Sequence, residues 1–151
     1  MLTDELRHRR SEVIEEHFRS EVDKDFERTI ATFNGTPHYE IVPTGAVYDG
    51  DEQVLAYHRG QRTSFPDQRH ENVRLHFADD SVITEFDLLG TNLGEFLGGA
   101  PTGKAFRVPV IAVFFFEGAK ITNERVYFDV ATLLVQIGRT DLLALAGTGG
   151  G

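Results

Sequence analysis

The periodicity of the chain changes once, near Phe65-Pro66-Asp67, and that change constrains the fold more than any single motif. Before it, Val13, Ile14, His17, Phe18, Val22, Phe26, Ile30 and Phe33 recur at helical spacing, with Glu12, Glu15, Glu16, Arg19 and Lys24 elsewhere. Recurrence every three to four residues marks an amphipathic helix, so residues 4–33 are expected to form one long helix that Asn34-Gly35 ends. Residues 38–42 read as extended. A second helix is expected next, with Asp49 and Glu52 spaced as a capping box ahead of Val54, Leu55, Tyr57 and His58. Phe65-Pro66-Asp67 closes it, because the residue before a proline avoids the helical conformation. Beyond that point, residues 71–77, 81–89, 105–116 and 121–129 carry strand composition, separated by Ala78-Asp79-Asp80, a Gly-rich link and Glu117-Gly118. Helices first, strands second and a short closing helix predict an α+β domain, its helices gathered on one face of an antiparallel sheet.

One strand departs from the pattern of a half-covered sheet. Val110-Ile111-Ala112-Val113-Phe114-Phe115-Phe116 shows no polar alternation, so both of its faces are expected to be buried. One face would meet the helices and a cavity; the other is covered either within the monomer or by a partner subunit. At 151 residues the chain suits one domain, expected over residues 1–146, with a Gly-rich tail at 147–151. Asp and Glu number 24 against 15 Lys and Arg, and a net charge of -9 argues against nucleic acid or an anionic membrane as partner. Cysteine is absent, which removes thiolate chemistry and cysteine-ligated zinc. The six histidines form no pair at metal-ligating helical spacing, and neither a metal nor a cofactor is expected. No apolar run approaches the roughly 20 residues that span a bilayer, and the expected location is cytoplasmic.

The segment most suggestive of chemistry is residues 120–138. Strand alternation places Arg125, Tyr127 and Asp129 on one face and Val126, Phe128 and Val130 on the other, so Asp129 arrives at a strand end just before an apolar helix. There it is either a general acid/base or the N-cap of Val130-Ala131-Thr132-Leu133-Leu134. Glu85, among Val82, Ile83 and Phe86, either points to solvent or shares a cavity with Asp129, in which case burial would displace its pKa upward. Tyr39, Tyr57 and His58 are candidates for the lining of the same cavity. His17, on the apolar side of the first helix, reads most simply as a hydrogen-bonded histidine at the core edge. Gly98 to Ala105 nearly spells a phosphate-binding loop, but Ala105 replaces the metal-binding hydroxyl, and a strand rather than a helix follows. Those glycines are expected to shape a hairpin over a pocket mouth. Without a Ser/His/Asp arrangement or a dinucleotide fingerprint, proton transfer by carboxylate, Tyr or His is the expected chemistry.

From Val13 to Gly138 the chain resembles the SnoaL-like polyketide cyclase, or ester cyclase, family of the NTF2-like superfamily. The resemblance rests on the long first helix, Phe65-Pro66-Asp67, Gly90-Thr91-Asn92-Leu93-Gly94-Glu95-Phe96, Pro101-Thr102-Gly103-Lys104, and Arg125-Val126-Tyr127-Phe128-Asp129 running on to Leu134, Gln136, Ile137 and Gly138. It implies an α+β cone in which a curved antiparallel sheet and N-terminal helices enclose a pocket, commonly as a homodimer through the sheet. It further implies cofactor-free acid/base catalysis of the intramolecular aldol type, with Asp129 matching the family's acid/base, on a hydrophobic, carbonyl-containing, polyketide-like or steroid-like molecule. Tyr39, Tyr57, His58, Glu85, Tyr127 and Arg125 are the accompanying pocket candidates. Asn92 stands where many relatives carry His. Two other activities fit the superfamily: ligand binding without chemistry, and epoxide-hydrolase-like water activation with Arg125 between carboxylates.

Overall fold

The computed structural model describes residues 1–143; the expected tail at 147–151 lies outside the described residues. The first helix, α1 (Asp4–Val22), starts where Thr3 caps it, its hydroxyl accepting from the Leu6 N–H at 3.1 Å, with Asp4 and Glu5 beside the positive end of the helix dipole. Its buried stripe is Arg10, Ile14, His17, Phe18 and Glu21. The single helix expected over 4–33 is two. Lys24 takes a left-handed backbone conformation (φ 60°), and Asp25 caps a new helix, α2 (Phe26–Ala31), by accepting from the Arg28 N–H.

A hairpin of β1 (His38–Ile41) and β2 (Ala46–Asp49) follows, the second strand of which carries no clear sequence signal. Next comes α3 (Asp51–Ser64), capped by Gly50 rather than by the expected capping box. The reason is strand pairing. Asp49 lies opposite His38 in the hairpin, its carboxylate is 3.0 Å from His38 Nδ1, and its N–H donates to Gln53 Oε1.

The long strands are β3 (Arg69–Phe77), β4 (Ser81–Thr91), β5 (Ala105–Glu117) and β6 (Lys120–Phe128), before α4 (Val130–Gln136). They form one curved, unclosed six-stranded sheet in the order β2-β1-β6-β5-β4-β3, antiparallel except where β1 pairs parallel with β6. Burial alternates strictly along β5 despite its apolar composition: Phe106, Val108, Val110, Ala112 and Phe114 enter the core, while Arg107, Pro109 and Ile111 face outward. Backbone pleat decides the face, so an apolar strand need not be covered twice.

In β6 a register shift opposite Phe115 and Phe116 brings Ile121 and Glu124 both inward. Val126 and Phe128 then pack on the core across from Ala112 and Val110, and Arg125 and Tyr127 turn outward. The side of β6 expected to face the cavity is therefore the outer one. After β4, Asn92 is fully buried, donating to Gly94 O and accepting from the Thr102 N–H. It ties the Gly-rich loop closed. Among the described residues no helix is long and apolar enough to cross a membrane.

Candidate functional site

At the centre of the cone, where an apolar core would be expected, the chain buries a polar cluster. Helix α1 brings His17 and Glu21, one turn apart on its inner stripe; β1 brings Tyr39, α3 brings Tyr57, His58 and Arg62, β3 brings His70, and β6 brings Glu124. His17 is wholly buried, and Glu21 and Glu124 are 7% and 5% exposed. Burying two carboxylates opposes folding unless each is paired, so their partners define the site.

The hydrogen bonds assign the protons. Thr32 donates its hydroxyl to Thr29 O at 2.6 Å, so at 2.9 Å from His17 Nδ1 it must accept, which places a proton on Nδ1. His17 Nε2 then faces three oxygens: Tyr39 Oη at 3.0 Å, Glu124 Oε2 at 3.2 Å and Glu21 Oε1 at 3.3 Å. Burial pulls the His17 pKa down, but Glu124 and Glu21 outweigh it and hold the imidazolium up to about 10. Glu21 in turn stays well below the usual carboxylate range: burial opposes this, but His17 and then His70 override it.

His58 is the opposite case. Buried beneath a Phe26 ring stacked on it at 5.1 Å, it is pushed down to about 4 and stays neutral, with Nε2 3.1 Å from Tyr39 Oη. Tyr39 is raised far above the ordinary phenol value by burial, then by Glu124 and Glu21, so it keeps its proton. Two histidines in opposite protonation states thus share one tyrosine hydroxyl. The Arg62 guanidinium, buried beside them, donates from Nε to Glu21 O at 3.2 Å. His17 Nε2 and one oxygen each of Glu21 and Glu124 lie within 4.8 Å of one another, as cation ligands would. A cation held there would have to displace the Nε2 proton of His17.

The residues singled out from sequence divide between this cluster and the outer face of the sheet. Tyr39, Tyr57 and His58 join the cluster. Asp129, Glu85 and Tyr127 line an open groove of about 830 Å³ on the outer face, with Asn72, Arg74 and Ile111. There Asp129 is exposed and caps α4, accepting from the Thr132 N–H at 3.1 Å and its hydroxyl at 2.6 Å, bonds that keep its carboxyl below the ordinary value. Glu85 is lowered rather than raised, first by the hydrogen bond from His76 at 2.6 Å and then by Arg74. Arg125 lies over the Phe115 ring and donates to Glu40 at 2.6 Å, not between Asp129 and a second acid.

Sequence reading passed over Glu21, His70 and Glu124. Glu21 carried a signal, being an acid one turn after His17 within the apolar stripe of α1. Glu124 carried none, because the register shift in β6 breaks the alternation that would have turned it inward.

Helices on one face of a curved sheet, enclosing a polar cluster, define an α+β cone of the ketosteroid isomerase-like, NTF2-like kind. Solved structures agree. A protein of Xanthomonas campestris pv. campestris classed as a polyketide cyclase superposes with a TM-score of 0.80 at 15% identity, covering 87% of this chain and 98% of that one. A SnoaL-like protein of Jannaschia sp. CCS1, also classed as a polyketide cyclase, gives 0.77 at 20% identity, over 86% and 92% of the two chains. A Catenulispora acidiphila protein of ketosteroid isomerase-like fold, solved with trimethylamine, gives 0.73 at 19%, over 84% and 92%. Among curated proteins no sequence matches. Residues 23–137 match the SnoaL-like polyketide cyclase family, and the chain belongs to it.

Proposed function

We propose that this chain is a cyclase- or isomerase-type enzyme that moves a proton next to a carbonyl of a hydrophobic small molecule, without a cofactor, as in intramolecular aldol ring closure. The observation that carries this reading is the pair of buried histidines whose Nε2 atoms both lie on Tyr39 Oη in different environments, one favouring the imidazolium and the other the neutral imidazole. Environments that push the pKa values of neighbouring groups apart create an acid and a base from the same residue type. A structural ion pair would need only the His17 half. The family and the polyketide cyclase names of its structural neighbours support a polyketide-like carbonyl compound as substrate.

In this reading Tyr39 donates to the developing oxyanion, His58 accepts a proton, and the His17 imidazolium with Glu21 and Glu124 holds the tyrosine in place. Asp129, a solvent-exposed cap with no protein neighbour raising its pKa, is not given the proton-transfer role that its position in the family motif suggests. The test is a panel of poly-β-ketone esters and cyclic enones assayed for cyclisation or isomerisation. Tyr39→Phe and His58→Gln should each lower kcat by about 10²- to 10⁴-fold, the range of a lost acid or base, while Asp129→Asn keeps turnover and loses a few degrees of Tm. The opposite ranking, with Asp129→Asn inactive and His58→Gln at wild-type rate, would sink the assignment. Ligands that bind the wild-type protein without being turned over would make it a binding protein instead.

A further inference from the structure

The buried cluster has more oxygens around His17 than one N–H can serve. Tyr39 Oη lies 3.0 Å from His17 Nε2, Glu124 Oε2 lies 3.2 Å away and Glu21 Oε1 lies 3.3 Å away. A single N–H points well at one acceptor, and Glu124 Oε2 is the atom left over: it is buried and receives no aligned hydrogen bond. A carboxylate oxygen buried without a donor opposes folding. A metal ion at the centre of these atoms has no such limit, because it draws on the lone pairs of all of them together.

The spacing suits one. Tyr39 Oη is also 3.4 Å from Glu21 Oε1, so four of the six separations among His17 Nε2, Tyr39 Oη, Glu21 Oε1 and Glu124 Oε2 fall between 3.0 and 3.4 Å. A tetrahedral zinc centre with bonds of about 2.0–2.1 Å sets its ligands about 3.3–3.4 Å apart. The outer partners are in place as well. His17 donates from Nδ1 to Thr32 Oγ1 at 2.9 Å, and that hydroxyl is held by its own bond to Thr29 O at 2.6 Å, which fixes Nε2 as the inward nitrogen. The second oxygen of Glu21, Oε2, lies 3.2 Å from His70 Nε2. Metal-binding histidines and carboxylates are oriented by contacts of this kind. His17 and Glu21 stand one turn apart on α1 and so project from the same side of it, while Tyr39 comes from β1 and Glu124 from the paired strand β6.

We infer that His17 Nε2, Glu21 Oε1, Glu124 Oε2 and Tyr39 Oη form a four-coordinate site for a divalent cation of the zinc type. A nitrogen ligand and four close-set donors favour zinc or cobalt over magnesium, which keeps several waters, and calcium, which takes six to eight oxygens. The ion enters in exchange for the Nε2 proton, which leaves to solvent, and the two carboxylates that attract the one cation attract the other. Ion and proton compete for one lone pair, and Tyr39 becomes a ligand. The loaded chain is therefore a different form from the one that transfers protons, and the two readings stand or fall separately.

The probes are ZnCl₂ and CoCl₂, added to the untagged full chain as it refolds from urea, so that the ion is present while the cluster assembles. After gel filtration the wild type should retain one zinc per chain, and the cobalt form should show the intense visible bands of tetrahedral Co²⁺ rather than the weak bands of a six-coordinate ion. Glu124→Gln, which keeps the volume and removes the charge, should weaken zinc binding by about a hundredfold or more. Thr32→Val should weaken it by about tenfold, the size of a lost outer partner. His76→Gln, in the exposed pair with Glu85 on the outer face, should leave it unchanged. No retained metal in the wild type, a six-coordinate cobalt spectrum, or zinc lost in His76→Gln but kept in Glu124→Gln would overturn the site. Should Glu124→Gln fail to fold, X-ray absorption at the zinc edge of the wild type decides alone: one imidazole in a four-coordinate shell supports the site, and two imidazoles or six ligands refute it.

Discussion

His17 and His58 lean on the same tyrosine hydroxyl and end in different protonation states, and that difference sets how stability should vary with pH. The folded pKa of His17 is raised from 6.5 to about 10, so its ion pairs contribute fully below pH 6.5 and are lost as pH rises through 10. The folded pKa of His58 is lowered from 6.5 to about 4, so keeping it neutral costs nothing above pH 6.5 and becomes steadily more destabilising as pH falls toward 4. Taken together, the two groups place their joint optimum near pH 6.5. Urea midpoints should fall from there toward pH 9 and also toward pH 4.5; a midpoint that climbs between 7 and 9 would show that His17 is not held as imidazolium. Removing the cation at constant pH is harsher, since His17→Ala strands two buried carboxylates and should cost about 3–5 kcal/mol. At this scale the sequence was half legible. Tyr39, Tyr57 and His58 were recognisable as amphipathic residues on elements whose apolar stripe is visible, but which way a carboxylate turns depends on neighbours that only the folded chain assembles.

Among the elements, the helix-then-strand order, the four long strands and the closing helix could be read from periodicity, because burial against one large core imposes it. What was not readable were the local exceptions. Lys24 and Asp25 split a helix whose apolar spacing continues unbroken across the gap, and β2 is too short to show a pattern of its own. The loop after β4 offers a test of such an exception. Leu93 and Gly94 both donate to Ser64 O, and Ser64 Oγ donates to Glu95 O, so the loop folds against the end of α3. A Cβ on Gly94 would overlap the Thr63 carbonyl oxygen. Gly94→Ala should therefore cost roughly 2–3 kcal/mol, as forced backbone rearrangements do, whereas Gly35→Ala, with open space around it, should cost less despite its positive φ. Equal losses from the two, measured by thermal melts, would mean the loop yields easily.

For the whole molecule, the outer face of the sheet is the open question that assembly answers. Pro109, Ile111, Val113, Phe115 and Tyr127 turn to that side, with Ile111 and Tyr127 more than 40% exposed, while Phe128 faces the core. We expect two copies to meet there through a two-fold axis, the simplest closed way to hide such a patch. Light scattering at micromolar concentration should give about twice the 16.9 kDa chain mass, and Ile111→Glu should return it to one. A wild-type monomer would leave the patch for a different partner.

The parallel pairing of β1 with β6 has a consequence for how the protein is made. Tyr39, Glu40 and Ile41 find their ladder partners, Glu124, Arg125 and Val126, some 85 residues further along the chain, and Glu124 comes from that same late strand. While the ribosome is still synthesising β5, Tyr39 and His17 have no Glu124 beside them, and β1 has only its hairpin partner. The chemical centre of the cone is thus among the last parts to close, and helices that emerge first must wait with their apolar stripes uncovered.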